Sequence, residues 1–252
     1  MGDDNMKYKL TIGVVTGMLL AGSAVVATAT PLDLSSGWSE VSLANDSHKT
    51  PSWSTSNGGR TVTQANNGDA SVYLSDAAWS NTSFDGSFRV NTGYDDDFIG
   101  FVFGYTGVND YYLFDWKQKD QDWSGDGYEG FTLSHITGDD INLWGHTGDN
   151  LEVLATDYDA DGWADREWYD LDLSYASSNF NISVNDVTVF DMDGSYEAGQ
   201  FGFYSYSQRG TAFTDFSATS NPVPEPQTML LFGVGLMGLA FQVKRRTAVK
   251  EK

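Results

Sequence analysis

The chain has no cysteine, five prolines, three histidines, and 14 lysines and arginines against 35 aspartates and glutamates in 252 residues. Without cysteine no disulfide can staple the fold, and no thiol is available as a nucleophile or a soft metal ligand. Stability must then come from a buried core, for which this length is sufficient, supplemented by any bound metal. No GxSxG elbow, HExxH helix or phosphate-cradling GxxxxGK[ST] is present. Glu40, Glu129, Glu152, Glu167 and Glu197 in the middle of the chain show no ExDxE spacing of the kind used by jelly-roll glucanases. His48, His135 and His146 lie far apart in sequence and are structural or exposed unless the fold converges them. The expectation is a protein that is not an enzyme.

The shortage of base is uneven. Lys7, Lys9, Lys244, Arg245, Arg246, Lys250 and Lys252 sit at the two ends, and the middle keeps 31 acids against seven bases, a formal charge of −24. Such a surface repels nucleic acid and anionic lipid, and divalent cations are its natural counter-charge. Excess aspartate also serves solubility alone, and charge by itself does not separate the two uses.

Both ends read as processing segments. Lys7 and Lys9, an apolar run from Leu10 to Val26, and small residues at Ala27 and Ala29 form a secretory signal with cleavage expected after Ala29. The acidic MGDDN ahead of it suits a translation start at Met6. At the other end, prolines at 222, 224 and 226 precede a 16-residue apolar run from Thr228 to Val243 and then Lys244, Arg245 and Arg246. At about 1.5 Å per residue the run spans about 24 Å, slightly short of a hydrocarbon core, and the positive charge beyond it favours a cytoplasmic C-terminus. A plain membrane anchor fits this pattern. The order Val223-Pro224-Glu225-Pro226, the Gly-rich apolar stretch and the basic end also closely resemble the PEP-CTERM sorting signal. That resemblance implies export in a Gram-negative bacterium, transient anchoring in the inner membrane by the C-terminal segment, processing by an exosortase, and delivery to the cell surface or extracellular matrix.

Between the ends, short apolar or alternating runs recur: SVYL, GSFRV, FIGFVFGY, YYLFDWK, GFTLSHI, LEVLATD, FNISV, VTVFDM and FGFYSYS. Turn signals at Asn57-Gly58, Asp85-Gly86 and Asp193-Gly194 are expected to separate them. Many strands without βα alternation predict an all-β antiparallel sandwich or jelly roll over residues 30–220, flanked by a signal helix at 1–29 and a membrane helix within 221–252. In FIGFVFGY the odd-numbered Ile99, Phe101, Phe103 and Tyr105 are expected to face the core, with Gly100 and Gly104 admitting another layer.

Three features could carry chemistry. Asp95, Asp96 and Asp97 stand directly before the predicted central strand, where mutual repulsion becomes attraction once a divalent cation binds. Strand alternation would let two of them, Asp95 and Asp97, meet one ion. A solvated acidic turn is the other reading. Asp157-Tyr158-Asp159-Ala160-Asp161-Gly162-Trp163-Ala164-Asp165 has DxDxDGxxD spacing, which brings carboxylates 1, 3 and 5 and the carbonyl of Trp163 onto one Ca2+. Trp168 stands where a full EF-hand loop has its bidentate glutamate, so the loop is a weaker binder or an unoccupied turn. Finally, Trp116, Trp123, Trp144, Trp163 and Trp168 lie in or near predicted loops, suited to stacking on sugar rings or, more commonly, to packing.

Read together, FDGSFRVNTGYDDDFIGFVFGY, YYLFDWKQKDQDW, LWGHTGDN, GWADREWYDL and QFGFYSYSQRGTAFTDF closely resemble the C-terminal lectin-like domain of thrombospondins, in register from about Trp38 to Ser220. The resemblance implies a concanavalin A-like jelly roll, calcium at Asp95, Asp96 and Asp97, a further carboxylate at Asp76, and a role in matrix or cell-surface adhesion. Tyr204 and Thr219 stand near the places of a cysteine pair expected in the animal domain. The functional expectation is an exported calcium-binding adhesion module whose partner is a matrix protein or a polysaccharide. A carbohydrate-binding module, and less so a jelly-roll glycosidase or lyase, are the alternatives.

Overall fold

A computed structural model describes residues 27–44 and 49–220. The signal segment up to residue 26, His48, and the C-terminal sorting and membrane segment lie outside the described residues. Within them no helix is long and apolar enough to cross a membrane.

Alternating apolar residues dictate strands, and the strands form two antiparallel sheets. The seven-stranded sheet runs in the order β12 (Leu151–Asp157), β11 (Gly130–Ile136), β8 (Asp110–Lys117), β7 (Phe98–Gly107), β16 (Gly199–Tyr206), β5 (Ser71–Trp79), β2 (Trp38–Ser42). The second runs β15 (Val187–Asp193), β14 (Asn179–Val184), β13 (Tyr169–Tyr175), β6 (Thr82–Val90), β17 (Thr211–Ser220), β4 (Thr61–Gln64), β3 (Trp53–Ser56), with β1 (Thr30–Pro31) paired to β17. A two-stranded ribbon, β9 (Gln121–Asp122) and β10 (Asp126–Gly127), stands apart. Asn185 and Asp186, with φ of 50° and 63°, make the two-residue turn between β14 and β15 that matches strand twist.

The inner faces meet in an aromatic core. Phe84 stacks on Phe201 at 4.2 Å, Phe101 on Phe114 at 4.9 Å, and Phe203 on Phe213 at 4.8 Å. A second cluster lies on the opposite face of the seven-stranded sheet, where Phe98, Val102, Tyr111, Leu113, Tyr204 and Tyr206 are buried with Leu143 and Trp144 from the segment 137–150. That segment makes a third layer: Trp144 meets Phe98 at 5.3 Å and Tyr206 at 5.7 Å.

The central strand therefore differs from its expected one-faced form. Phe98 to Tyr105 is buried on both faces. Ile99, Phe101 and Phe103 face the inner core as expected, but a bulge at Gly104, with φ +58°, turns Tyr105 to the outer cluster. Gly100 admits the neighbouring strand rather than another layer, since a Cβ there would stand 1.9 Å from the Phe114 carbonyl oxygen. Asp85-Gly86 is no turn but the middle of β6, and its glycine makes room for the ring of Phe216, 2.4 Å from where a Cβ would sit. Asn57-Gly58 and Asp193-Gly194 do fall at the ends of strands, as expected.

Candidate metal centre

The segment from Asn91 to Asp97 joins β6 to β7 in irregular backbone, pinned on both sides. The Asn91 N–H donates to the Gly210 carbonyl at 2.9 Å and the Thr92 hydroxyl to the Arg209 carbonyl at 2.9 Å. On the other side Asp165 lies against Gly93, where a Cβ would meet its Oδ2 at 2.6 Å. Because the segment lies outside any strand, three successive side chains need not alternate. Asp95, Asp96 and Asp97 each bring one carboxylate oxygen within 4.8 Å of the others, one residue more than strand geometry predicts.

The cluster is short of positive charge. Asp97 is 3% exposed; its N–H donates to Gln208 Oε1 at 2.9 Å, and its Oδ1 accepts from Lys117 Nζ at 3.0 Å. The Lys117 side chain is wholly buried, with its ammonium 4.6 Å from both the Phe98 and Trp144 ring centres. It also donates to the Asp96 carbonyl and to Gln121 Oε1, so its three protons are used. Burial pulls the Lys117 pKa down, against the opposing charge of Asp97. Gln121 donates its amide to Asp96 Oδ1, Asn67 donates to Asp95 Oδ2, and the Ser207 hydroxyl donates to Asn67 Oδ1 at 3.0 Å. Lys119, with an exposed side chain, reaches only to 3.9 Å of Asp96. One buried ammonium thus faces three carboxylates. The consequence falls on Asp95, whose pKa is pushed up to about 7 by burial first, then by the charge of Asp97 and its hydrogen bond, with Asp96 adding to it.

These residues fit a hard divalent cation. With Ca–O distances of about 2.3–2.6 Å, oxygens up to about 5 Å apart can share one Ca2+. A cation there would supply the charge for which Asp95 otherwise holds a proton.

The other predicted ligands are placed differently. Among the described residues, Asp95 to Asp97 is the one group of three or more potential metal-binding side chains close enough to share an ion. Asp157, Asp159, Asp161 and Asp165 do not gather. Asp157 ends β12, paired with Phe131, while Asp159, Asp161 and Asp165 are exposed. The loop instead packs down: Trp163 is 1% exposed and donates its indole N–H to the Asp97 carbonyl at 3.3 Å. The Trp163 carbonyl accepts from Gln118 Nε2 at 2.8 Å, and the Gly162 N–H donates to Glu129 Oε1 at 2.8 Å. Asp76 is exposed on β5, toward the Trp79 end that pairs with Gly199, whereas Asp97 adjoins Phe98, which pairs with Tyr206 at the other end of β16. The two described histidines stay apart: His135 stacks on Tyr112 at 4.3 Å, and His146 pairs with buried Asp115 at 2.8 Å. Of the five tryptophans expected in or near loops, Trp116 lies instead within β8 and is buried, Trp144 and Trp163 are also buried, and Trp123 and Trp168 are exposed.

Sequence reasoning misses Lys117, Asn67, Gln121 and Gln208. Lys117 and Gln121 lie 20 and 24 positions beyond Asp97, and Asn67 and Gln208 lie on separate turns. The only local signals were an unusual lysine ending an apolar strand and the turn pair Asn67-Gly68.

Comparison with known proteins places most of the chain in one family. Residues 48–221 match the family model described as the thrombospondin C-terminal region, and residues 222–246 match the PEP-CTERM protein-sorting motif. Thrombospondin-3 from Homo sapiens is 28% identical over 233 residues, covering 77% of this chain and 24% of that protein. Cartilage oligomeric matrix protein from Homo sapiens is 28% identical over 206 residues, covering 71% and 27%. The chain thus spans about a quarter of the length of these relatives. Among solved structures, a carbohydrate binding module, CBM66, from Bacillus subtilis has a similar fold, with a TM-score of 0.53 at 18% identity over 73% of this chain and 96% of that one.

Proposed function

Because the chain belongs to the thrombospondin C-terminal region family, with a PEP-CTERM motif behind that region, we propose that it is an exported, non-enzymatic adhesion module whose loops are set by Ca2+. The observation that carries the reading is the convergence of Asp95, Asp96 and Asp97 beside a single buried ammonium. In this reading those three carboxylates hold the ion. Asp157, Asp159, Asp161 and Asp165 hold at most a second, weaker one, formed only if the loop around Trp163 rearranges, and Asp76 takes no part in the main site. Calcium acts by replacing the proton on Asp95 and drawing together three segments that meet at the cluster: 91–97, 118–121 and 161–165. The ligand-bearing surface is then built by these segments. The PEP-CTERM motif supports processing by an exosortase and delivery to the surface or matrix of a Gram-negative bacterium, with the C-terminal segment holding the inner membrane until it is removed.

Calorimetric titration of the full-length chain with Ca2+ tests this. Saturable binding abolished by Asp95→Asn with Asp97→Asn, and retained with Asp159→Asn plus Asp161→Asn, is the expected result. Absence of binding, with no change in melting temperature at millimolar calcium, would sink it.

A further inference from the structure

Next to the Asp95–Asp97 cluster, the β9–β10 ribbon folds into a feature that the metal reading does not use. Asp120, Gln121, Asp122, Asp126, Gly127 and Tyr128 line an open cleft of about 320 Å³. Two flat aromatic faces adjoin it. Trp123, at the ribbon's tip, is 54% exposed and rests edgewise on Trp144 at 5.2 Å. Tyr128 is 46% exposed and lies 5.0 Å from Tyr158, itself 40% exposed. Under Gly127 lies the indole N–H of Trp144, 3.1 Å from where a Cβ would stand; that nitrogen is buried and has no hydrogen-bond partner among the described residues. The pocket therefore combines exposed ring faces, several carboxylates and an unused buried donor close under its floor.

Its charge selects among ligands. Asp120 accepts the Glu129 N–H at 2.7 Å and Asp126 accepts the Tyr128 hydroxyl at 3.3 Å, whereas Asp122 has no hydrogen bond or ion pair among the described residues. The charge of Asp126 is the main cause that raises the Tyr128 pKa, a local report of negative potential. Lys117 also lies under the floor, its Cε 3.0 Å from where a Gly127 Cβ would stand, but its ammonium is taken up by Asp97, the Asp96 carbonyl and Gln121, and Lys119 turns toward Asp96. An acidic polysaccharide is repelled from such a cleft, and a neutral one leaves its carboxylates without a counter-charge. A cation that also presents a flat apolar face satisfies both the carboxylates and the rings.

We propose that this cleft binds a cationic glycan, a polymer of hexosamine units with free amino groups, through ammonium contacts to Asp122 and Asp126 and stacking of a sugar face on Trp123. This names the partner class for the adhesion module and rests on that reading. Gln121 ties the two sites together, because it lines the cleft while holding Asp96 and Lys117. A lysine-rich peptide would also meet the carboxylates, but it gives the tryptophan face no ring to stack on.

The test is calorimetry on the full-length chain with fully deacetylated glucosamine oligomers, their N-acetylated counterparts, and an oligolysine of equal charge, each in 1 mM calcium and in chelator. Binding of the deacetylated oligomer, weakened about tenfold or more by Asp122→Asn with Asp126→Asn and also by Trp123→Ala, is expected, with calcium binding unchanged in both variants. Binding to the acetylated oligomer should be at least about tenfold weaker. No binding of the deacetylated oligomer, equal binding of the acetylated one, or oligolysine binding with the same dependence on Trp123 would overturn the proposal. Loss of the calcium response with oligomer binding intact would sink the calcium reading alone, and the reverse pattern would sink this one alone.

Discussion

Asp95 and Lys117 show how individual residues tune the site. In the folded protein Asp95 has its pKa pushed up to about 7 from an ordinary value of 3.8, so the fold binds a proton that the unfolded chain has released. The sign follows: without metal, stability is greatest at the low end of that interval and declines as pH rises from about 4 to about 7. Calcium must displace the same proton, so its apparent Kd should rise about tenfold for each unit of pH below about 7 and level off above it. Titrations at pH 5.5, 6.5 and 8 read this directly, and a pH-independent Kd would remove Asp95 from the ligand set. Lys117→Met keeps the packing between Phe98 and Trp144 but strands the Asp97 carboxylate. A loss of about 3–5 kcal/mol is expected from leaving a buried charge unpaired. If calcium sits beside Asp97, the metal should raise the melting temperature of this variant by more than it raises that of the parent chain.

At the scale of elements, the loop 157–165 and strand β6 each depend on one close contact. Trp163 fills a buried site between the loop and Asp97, so Trp163→Ala should cost about 3–5 kcal/mol in chemical denaturation and weaken calcium binding at a site whose carboxylates are all intact. Gly86→Ala should also destabilise, by about 1–3 kcal/mol, because Phe216 occupies the only place its methyl could go. This is also where the sequence was harder to read. GFTLSHI and LEVLATD are short apolar-rich runs bounded by turn residues, and they form β11 and β12 with those limits. β13, with Leu171, Leu173 and Tyr175 inward and Asp170, Asp172 and Ser174 between them, alternates more regularly, but its start is hidden in the acidic run after Asp165. Asp85-Gly86 misled because the chemistry of a turn and the space required by a cross-sheet phenylalanine both select glycine. The acidic triad was legible because it is contiguous. Its counter-ion and amide partners were not, because only the antiparallel pairing of β7 with β8 puts Lys117 opposite Phe98.

For the whole molecule, the charge distribution sets the response to solution conditions. With 31 acids against seven bases in the middle of the chain, and with Lys117 buried and Arg60 already paired to Asp215, the folded surface repels itself. Raising sodium chloride from about 20 to about 500 mM should therefore raise the melting temperature of the calcium-free protein, as the screening length falls from tens of ångströms to a few. A fall across that range would mean that favourable ion pairs outweigh the repulsion. The architecture also restricts where anything can be grasped. The segment 137–150 is bonded down over the outer side of the seven-stranded sheet, with Leu143 and Trp144 buried against Phe98 and Tyr206. With that side of the sheet roofed over, a chain-like partner held at the β9–β10 cleft is gripped at the rim, a few units at a time, and firm hold would come from many copies arrayed along it.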